Sequence, residues 1–389
     1  MNSVELKYGC NPNQKPAEIR SISGELPLKV LSGKPGYINF MDALNSWQLV
    51  KELKAALEMP VAASFKHVSP AGAALGLPLS EEEKKAYSVK AAHLSPLACA
   101  YVRARGADRL SSFGDWAALS DIVDKSTAEI LKGEVSDGVI APGYSPEALE
   151  ILKKKRDGNY NVIEIDPSYE PPELETRLIG GIEFMQKRNT VIPGFADLDN
   201  IVTANKDLPT PARRDMVLAM ITLKYTQSNS VCYVFNGQVI GVGAGQQSRI
   251  HCTRLAGDKA DIWYLKQHPI VLNLHFKKGT GKAERDNAID LFVRRDTTDY
   301  ELENLSAVLE VVPERFTETE REAWLKGLQN VTIGSDAFFP FRDNIDRAYK
   351  SGVKYVVQTG GSLRDDLLIE ACNEYGMVMA TTGLRLFHH

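Results

Sequence analysis

Lys66 and His67 stand side by side in Ser64-Phe65-Lys66-His67-Val68-Ser69-Pro70-Ala71-Gly72, an ammonium next to an imidazole where a strand-like run breaks. Such a pair polarises a carbonyl while it moves a proton. Imidazole exchanges protons near neutral pH, and a fixed cation stabilises a developing oxyanion. The ordinary alternative is a solvated surface dipeptide. The setting raises the chemical reading: residues 59–65 read as a short buried strand, and Ser69-Pro70-Ala71-Gly72 as a turn opening a helix-like segment. Strand ends beside sheet crevices are where open α/β folds bind ligands.

Three other constellations carry chemistry. Gly241-Val242-Gly243-Ala244-Gly245-Gln246-Gln247-Ser248-Arg249 lies between a strand and a helix, but Gln246 stands where a dinucleotide loop needs its third glycine. No nicotinamide site is expected. The run reads instead as a glycine-lined wall that lets Ser248 and Arg249 approach an anionic or amide-bearing ligand, against the plain alternative of a capped turn. Thr226-Gln227-Ser228-Asn229-Ser230 crowds hydroxyls and amides before an apolar strand, a pattern that suits helix capping or the oxygen ligands of a monovalent cation. Ser335-Asp336-Ala337-Phe338-Phe339-Pro340-Phe341-Arg342-Asp343-Asn344 is either core or a stacking surface for a planar heterocycle, with Asp343 accepting from ring N–H groups. The closing Arg385-Leu386-Phe387-His388-His389 is suited to folding back into a site.

The elements that must position these groups alternate. Residues 43–57 carry apolar side chains at helical spacing and 61–65 form a strand, followed by a charged helix over 81–92 and a mostly helical stretch over 90–105. A short strand is expected over 109–113, a helix over 126–132, a buried strand over 138–144 and a helix over 147–155. After a strand at 162–165 the chain turns proline-rich and loop-like to residue 194, which predicts a domain boundary near 192. Beyond it, Pro211 opens a helix to 226, and Asn236-Gly237 joins strands 231–235 and 238–243 as a two-residue hairpin. A helix over 249–255, a polar middle section and a strand-helix-strand run over 353–380 complete the chain. Both halves share this rhythm, which suggests related structures.

With 389 residues, 43% hydrophobic and 25% charged, the chain is long enough for two or three globular domains. A net charge of -4 argues against nucleic-acid binding. No apolar signal core or membrane-length run appears, so a cytoplasmic protein without membrane attachment is expected. Cys10, Cys99, Cys232, Cys252 and Cys372 are scattered and the histidines lack metal-binding spacing, so neither a disulfide framework nor a zinc site is predicted.

Taken together, Tyr8-Gly9-Cys10-Asn11-Pro12, residues 64–74, Arg103-Ala104-Arg105-Gly106-Ala107-Asp108, Ser136-Asp137-Gly138 and residues 225–230, 243–257, 335–344 and 385–389 resemble one family. It is the aminoimidazole-carboxamide ribonucleotide (AICAR) transformylase half of the bifunctional purine-biosynthesis enzymes, and the similarity runs from Lys7 to His389. The resemblance implies an α/β fold of two cytidine-deaminase-like three-layer α/β/α subdomains with mixed sheets and no zinc, over residues 1–192 and 193–389. It implies formyl transfer from 10-formyltetrahydrofolate to the 5-amino group of AICAR, with His67 handling the amine proton and Lys66 stabilising the oxyanion. The nucleotide contacts it carries over are Lys7, Tyr8, His67, Gly114, Asp137, Asn229, Arg249, Phe338 and Arg385; those to folate are Ile250, Asp343, Ser362 and Leu363. Potassium is associated with the fold, near Thr226, Ser228, Ser230 and Asp336 here. The family forms a homodimer with sites across the interface.

The family's cyclohydrolase domain would end where this chain begins, so ring closure is not expected and a separate IMP cyclohydrolase is a candidate partner. This chain has Lys7 where the family has arginine, and Asn13 where it has histidine. Lysine keeps the charge and loses the bidentate fork, a cost of roughly 1 kcal/mol in phosphate affinity. The alternatives are formamido-ribonucleotide synthesis from another one-carbon donor, such as formate with ATP, and a non-catalytic purine-nucleotide-binding protein. A zinc nucleobase deaminase would need His-x-Glu and Pro-Cys-x-x-Cys, which are missing.

Overall fold

The computed structural model describes residues 2–22 and 24–389. Strands β1 (Ser3–Leu6) and β2 (Ala17–Arg20) form a small antiparallel pair, and β3 (Leu28–Ser32) leads to helix α1 (Tyr37–Leu57). On α1 the spacing of Phe40, Ala43, Trp47, Val50 and Leu53 makes one buried face. Burial at about 1.5–3 kcal/mol per large apolar side chain anchors the helix by packing more than by propensity. Glu58, in a left-handed conformation before Pro60, ends it.

Strand β4 (Val61–Lys66) follows and pairs antiparallel with β5 (Ser69–Leu75). Residues 69–72, expected as a turn into a helix, are therefore strand; the turn is His67-Val68. The glycine that suggested a turn is there for another reason. A Cβ at Gly72 would lie 2.2 Å from the Ala104 carbonyl oxygen of α3 (Pro96–Gly106), which packs directly on this strand. The charged helix α2 (Glu81–Ala86) stops six residues short of its expected end, and α3 starts only after Ser95 caps it through Ala98 N–H. Residues 109–113, expected as a strand, form turns, and β6 (Asp115–Leu119) begins where that strand was to end. Then come α4 (Lys125–Lys132), β7 (Ser136–Ala141), α5 (Pro146–Lys153) and β8 (Asn161–Ile165). The loop-like region beyond contains an unexpected hairpin, β9 (Leu174–Ile179) with β10 (Ile182–Lys187), exposed along its whole length.

The second half repeats the plan. Helix α6 (Thr210–Lys224) precedes the hairpin of β11 (Val231–Phe235) and β12 (Gln238–Gly243), turning at Asn236-Gly237 as expected. Helix α7 (Arg249–Leu265) runs ten residues past its expected end. The polar middle section is helical: α8 (Pro269–Leu272), α9 (Lys282–Val293), α10 (Asp299–Val308) and α11 (Glu318–Leu325) enclose a small core of Val271, Phe292, Val293 and Leu305. Strand β13 (Val331–Ser335), α12 (Asp343–Lys350), β14 (Val353–Gln358), α13 (Asp365–Glu374) and β15 (Val378–Thr381) complete it.

Among the described residues, eleven strands form one mixed sheet in the order β15-β14-β13-β11-β12-β5-β4-β6-β7-β8-β3. Read outward from the middle, both sides begin alike, with a hairpin and then three strands of which the later pairs are parallel; β3 is added antiparallel beyond β8 on one edge. Helices α1 and α6 cover one face, while α3 to α5 and α7, α12 and α13 cover the other. Alternation along β4 shows the layers, with Val61, Ala63 and Phe65 in the α1–α6 core and Ala62 in the α3 core. The halves join where β5 meets β12, over a buried polar seam in which the Gln238 amide donates to Arg103 O at 2.7 Å and Trp263 donates to the Tyr87 hydroxyl at 2.8 Å. The glycines 241 and 243, expected to line a ligand wall, serve packing: a Cβ on either would lie 2.2 Å from a carbonyl oxygen of α7.

Candidate functional site

Lys66 closes β4, and His67 and Val68 make the turn with φ of 52° and 59°. Left-handed backbone at non-glycine residues costs on the order of 1–3 kcal/mol each, most at a β-branched one. The turn is held from outside. Val68 N–H donates to Asp42 Oδ1 at 2.7 Å. Asp42 lies on the buried face of α1, 6% exposed, and burial pushes its carboxyl up to about 6, against the Val68 hydrogen bond and the His67 charge; Asp137 raises it further and Lys66 lowers it.

The Lys66 ammonium donates to Phe113 O. A Cβ placed on Gly114, whose φ is +76°, would lie 3.7 Å from Lys66 Nζ and 3.8 Å from both Asp137 carboxylate oxygens. Lys66, Gly114 and Asp137 therefore meet at one end of β4, β6 and β7, with the exposed His67 next in the chain after Lys66. Below them, the fully buried Asp115 accepts from Arg105 Nη1 and from Ser64 Oγ, both at 2.7 Å. Arg105 also donates to Ser112 O, Val135 O and Glu134, so one guanidinium fixes the Phe113-Gly114 loop from beneath.

The second half reaches this turn through one loop. Gln227 N–H donates to Ser69 Oγ at 3.3 Å, which puts the loop after α6 against the Lys66-His67 turn. In that loop the Ser228-Asn229 peptide is cis. The Asn229 amide donates to Gln246 O at 3.0 Å and accepts from Arg249 Nη2 at 2.7 Å. Arg249, the buried first residue of α7, also donates to Ser230 O, Ser335 Oγ and Asp336. Asp336 accepts in turn from Ser228 Oγ at 2.6 Å and from the Ser230 amide and hydroxyl.

The chain end closes over this network. Leu386 N–H donates to Asp336 O at 2.8 Å, and Ser228 and His388 exchange two hydrogen bonds. Burial pushes the His388 imidazole down, opposed by Glu175 and reinforced by Arg177 and His389. Arg385 stays exposed, its guanidinium 5.0 Å from the Phe387 ring centre.

Hydroxyls, a backbone amide and the Arg249 guanidinium all converge on Asp336. Thr226 Oγ1 donates to Thr222 O, the Ser228 and Ser230 hydroxyls donate to the Asp336 carboxylate, and Ser228 Oγ also accepts from His388 N–H. Among the described residues no three His, Cys, Asp or Glu side chains converge as a metal site.

The aromatic run divides. Phe339 is core, its N–H donating to Gln358 at 2.7 Å, while Phe338 and Phe341 are exposed. Arg364, next to Ser362 and Leu363 in the chain, sits 4.7 Å over the Phe341 ring. Asp343 accepts from Asn344, and Asn344 accepts from Thr253 of α7, one helical turn beyond Arg249 and Ile250. Lys7 and Tyr8 follow β1; among the described residues neither bonds to another candidate. Asp42 and Asp115 lie outside the motifs read from the sequence, and Ser69 and Gln227 stand within them without a role of their own. For Asp42 the available signal was a carboxylate on the apolar face of α1.

The family model described as AICARFT/IMPCHase bienzyme matches residues 1–259. Among curated relatives, the Bifunctional purine biosynthesis protein PurH of Ruegeria sp. (strain TM1040) is 30% identical and that of Roseobacter denitrificans 31% identical, each over 99% of this chain. The PurH protein of Cereibacter sphaeroides is 30% identical over the same share. The chain spans 59% of the length of these relatives. By the family match over two thirds of its residues and by relatives along nearly all of it, the chain belongs to the AICARFT/IMPCHase bienzyme family.

Proposed function

We propose that the protein transfers the formyl group of 10-formyltetrahydrofolate to the 5-amino group of AICAR, releasing tetrahydrofolate. The observation that supports this reading is the meeting of Lys66, Gly114 and Asp137 beside the His67-Val68 turn, with the loop that carries Asn229 reaching the neighbouring Ser69 through Gln227. The amine is a weak nucleophile, its lone pair delocalised into the imidazole and carboxamide, so attack on the formyl carbon needs its proton removed. His67 takes that proton. Lys66, held at the Phe113 carbonyl, stabilises the oxyanion of the tetrahedral intermediate. Collapse expels the folate nitrogen, which receives a proton.

Asp137 holds the ribose hydroxyls, Asn229 and Arg249 the carboxamide, and Phe338 the ring face, while Lys7 and Arg385 meet the phosphate with Tyr8 beside it. Asp343 binds the pterin edge next to Ile250, Ser362 and Leu363. A potassium ion would be held by Thr226, Ser228, Ser230 and Asp336 and would brace the loop carrying Asn229. The protein acts as a homodimer, for which the uncovered apolar hairpin β9–β10 is the supporting feature.

The test is tetrahydrofolate formation from purified protein with AICAR and 10-formyltetrahydrofolate. Lys66→Ala and His67→Ala should each lower kcat by at least about 100-fold, the scale of a lost acid-base or oxyanion group. Undiminished turnover in both variants would sink the mechanism. Turnover with formate and ATP in place of the folate would sink the donor.

A further inference from the structure

The two hairpins at the centre of the sheet are built alike except for their turns. In the second half the turn is Asn236-Gly237, the pair that adopts two successive left-handed conformations most readily, here with φ of 45° and 72°. Gly237 N–H donates to Asp215 Oδ1 at 2.8 Å. Asp215 is the sixth residue of α6 and is buried. In the first half the turn is His67-Val68, and Val68 N–H donates to Asp42 Oδ1 at 2.7 Å. Asp42 is the sixth residue of α1 and is buried. The same carboxylate thus ties the second turn residue of each hairpin to the helix before it, from the same helical position. The residues inside the turn differ, and Asp215 also accepts from the Arg214 guanidinium: one repeat keeps the pair that needs no help, and the other puts an imidazole and a β-branched side chain there.

We infer that Asp42 is a positioning residue for Lys66 and His67: by accepting the Val68 N–H it holds a turn that His-Val does not favour, and so keeps imidazole and ammonium aimed at one ligand. Asp215 holds a turn already favoured by its sequence, so its bond is structural. The charged groups facing Asp42 are His67 and Lys66 from the β4–β5 turn and Asp137 from β7. The Val68 bond needs an oxygen acceptor and no particular charge on it, and this separates tethering from an electrostatic role.

The kinetic arm rests on the formyl-transfer reading. Asp42→Ala should lower kcat at least tenfold, with kcat falling further than KM rises. Adding Val68→Gly, which makes the left-handed position free of cost, should recover at least half of that loss on a logarithmic scale. Asp42→Asn, which keeps an acceptor oxygen, should be at least tenfold more active than Asp42→Ala. A second arm needs no reaction: in protein labelled with 13C-histidine, the His67 ring signal should move or broaden in Asp42→Ala and return in the double variant. Asp42→Ala within threefold of wild type, no recovery with Val68→Gly, or an unmoved His67 signal would each overturn the inference. If wild-type protein fails to turn over AICAR and 10-formyltetrahydrofolate, the formyl-transfer reading falls, and the His67 signal still decides the role of Asp42. Should Asp42→Ala not fold, Asp42→Asn with and without Val68→Gly carries the same comparison: a His67 signal at the wild-type position in Asp42→Asn supports the tether, and one displaced and not restored by glycine overturns it.

Discussion

Asp42 carries an energetic cost that its place in the site explains. Its pKa of about 6 in the folded chain exceeds the roughly 3.9 of an exposed aspartate, chiefly through burial. A carboxyl with a raised folded pKa favours the folded state most below its unfolded pKa, and that contribution is lost as pH rises through about 6. The rise from roughly 3.9 to about 6 corresponds to about 3 kcal/mol at most. Asp42→Asn removes the charge and keeps an acceptor, so in urea melts it should be more stable than wild type at pH 7.5 by about 1–3 kcal/mol, with the gap closing towards pH 4.5. A gap that is absent, or that widens on acidification, would mean the carboxylate is better solvated or better paired than its contacts indicate. At this scale the sequence was legible where residue type and position spoke together: Lys66-His67 at a strand end and Asn236-Gly237 between strands. Asp42 was illegible because a single aspartate on a helix is ordinarily surface. Its meaning depends on the Val68 amide, 26 residues away.

Glycine patterns misled at the level of elements, and for one physical reason. Ser69-Pro70-Ala71-Gly72 reads as a turn opening a helix-like segment and the glycines from Gly241 as a ligand wall, because glycine signals a turn or the close approach of a backbone. The approaching backbone is a helix in both cases. A Cβ at Gly72 would meet the Ala104 oxygen of α3 at 2.2 Å, and at Gly241 and Gly243 it would meet the oxygens of Ala256 and Cys252 of α7 at the same distance. These glycines set the depth at which each helix lies on its hairpin, and α7 in turn sets the position of Arg249. Gly241→Ala should therefore destabilise the fold by about 1–3 kcal/mol, the usual cost of overpacking against backbone that cannot move aside. Denaturant titration measures it, and an unchanged midpoint would show that α7 shifts freely. The sequence also underrated α7 to α11, since their apolar residues bury a small local core beneath a polar exterior and give only a weak periodic signal.

At the scale of the molecule, the α/β class and the repeated rhythm of the halves were visible in sequence, while the continuous sheet was not. Pairing of β5 with β12 joins strands more than 160 residues apart, and nothing local encodes it. That join has a functional consequence, because it places the Lys66-His67 turn of one half against the Asn229 loop of the other. The arm β9–β10 stands apart from this construction. It exposes Leu174, Leu178, Ile179, Ile182, Phe184 and Met185, and two strands without a covering layer are at best marginally stable in water. A second copy of the chain is the cover expected from the dimer reading, and the base of the arm is near the site, since Glu175 and Arg177 act on His388. Replacing Leu178 and Phe184 together by serine should shift the mass measured by analytical ultracentrifugation from dimer towards monomer, and activity should become dependent on protein concentration. Each buried apolar side chain lost from a dimer contact is worth about 1.5–3 kcal/mol, so the pair should weaken association by roughly 100-fold or more on each protomer. A wild-type protein that sediments as a monomer while fully active would remove the second copy from the site. A double variant that stays dimeric would instead place the contact elsewhere on the molecule.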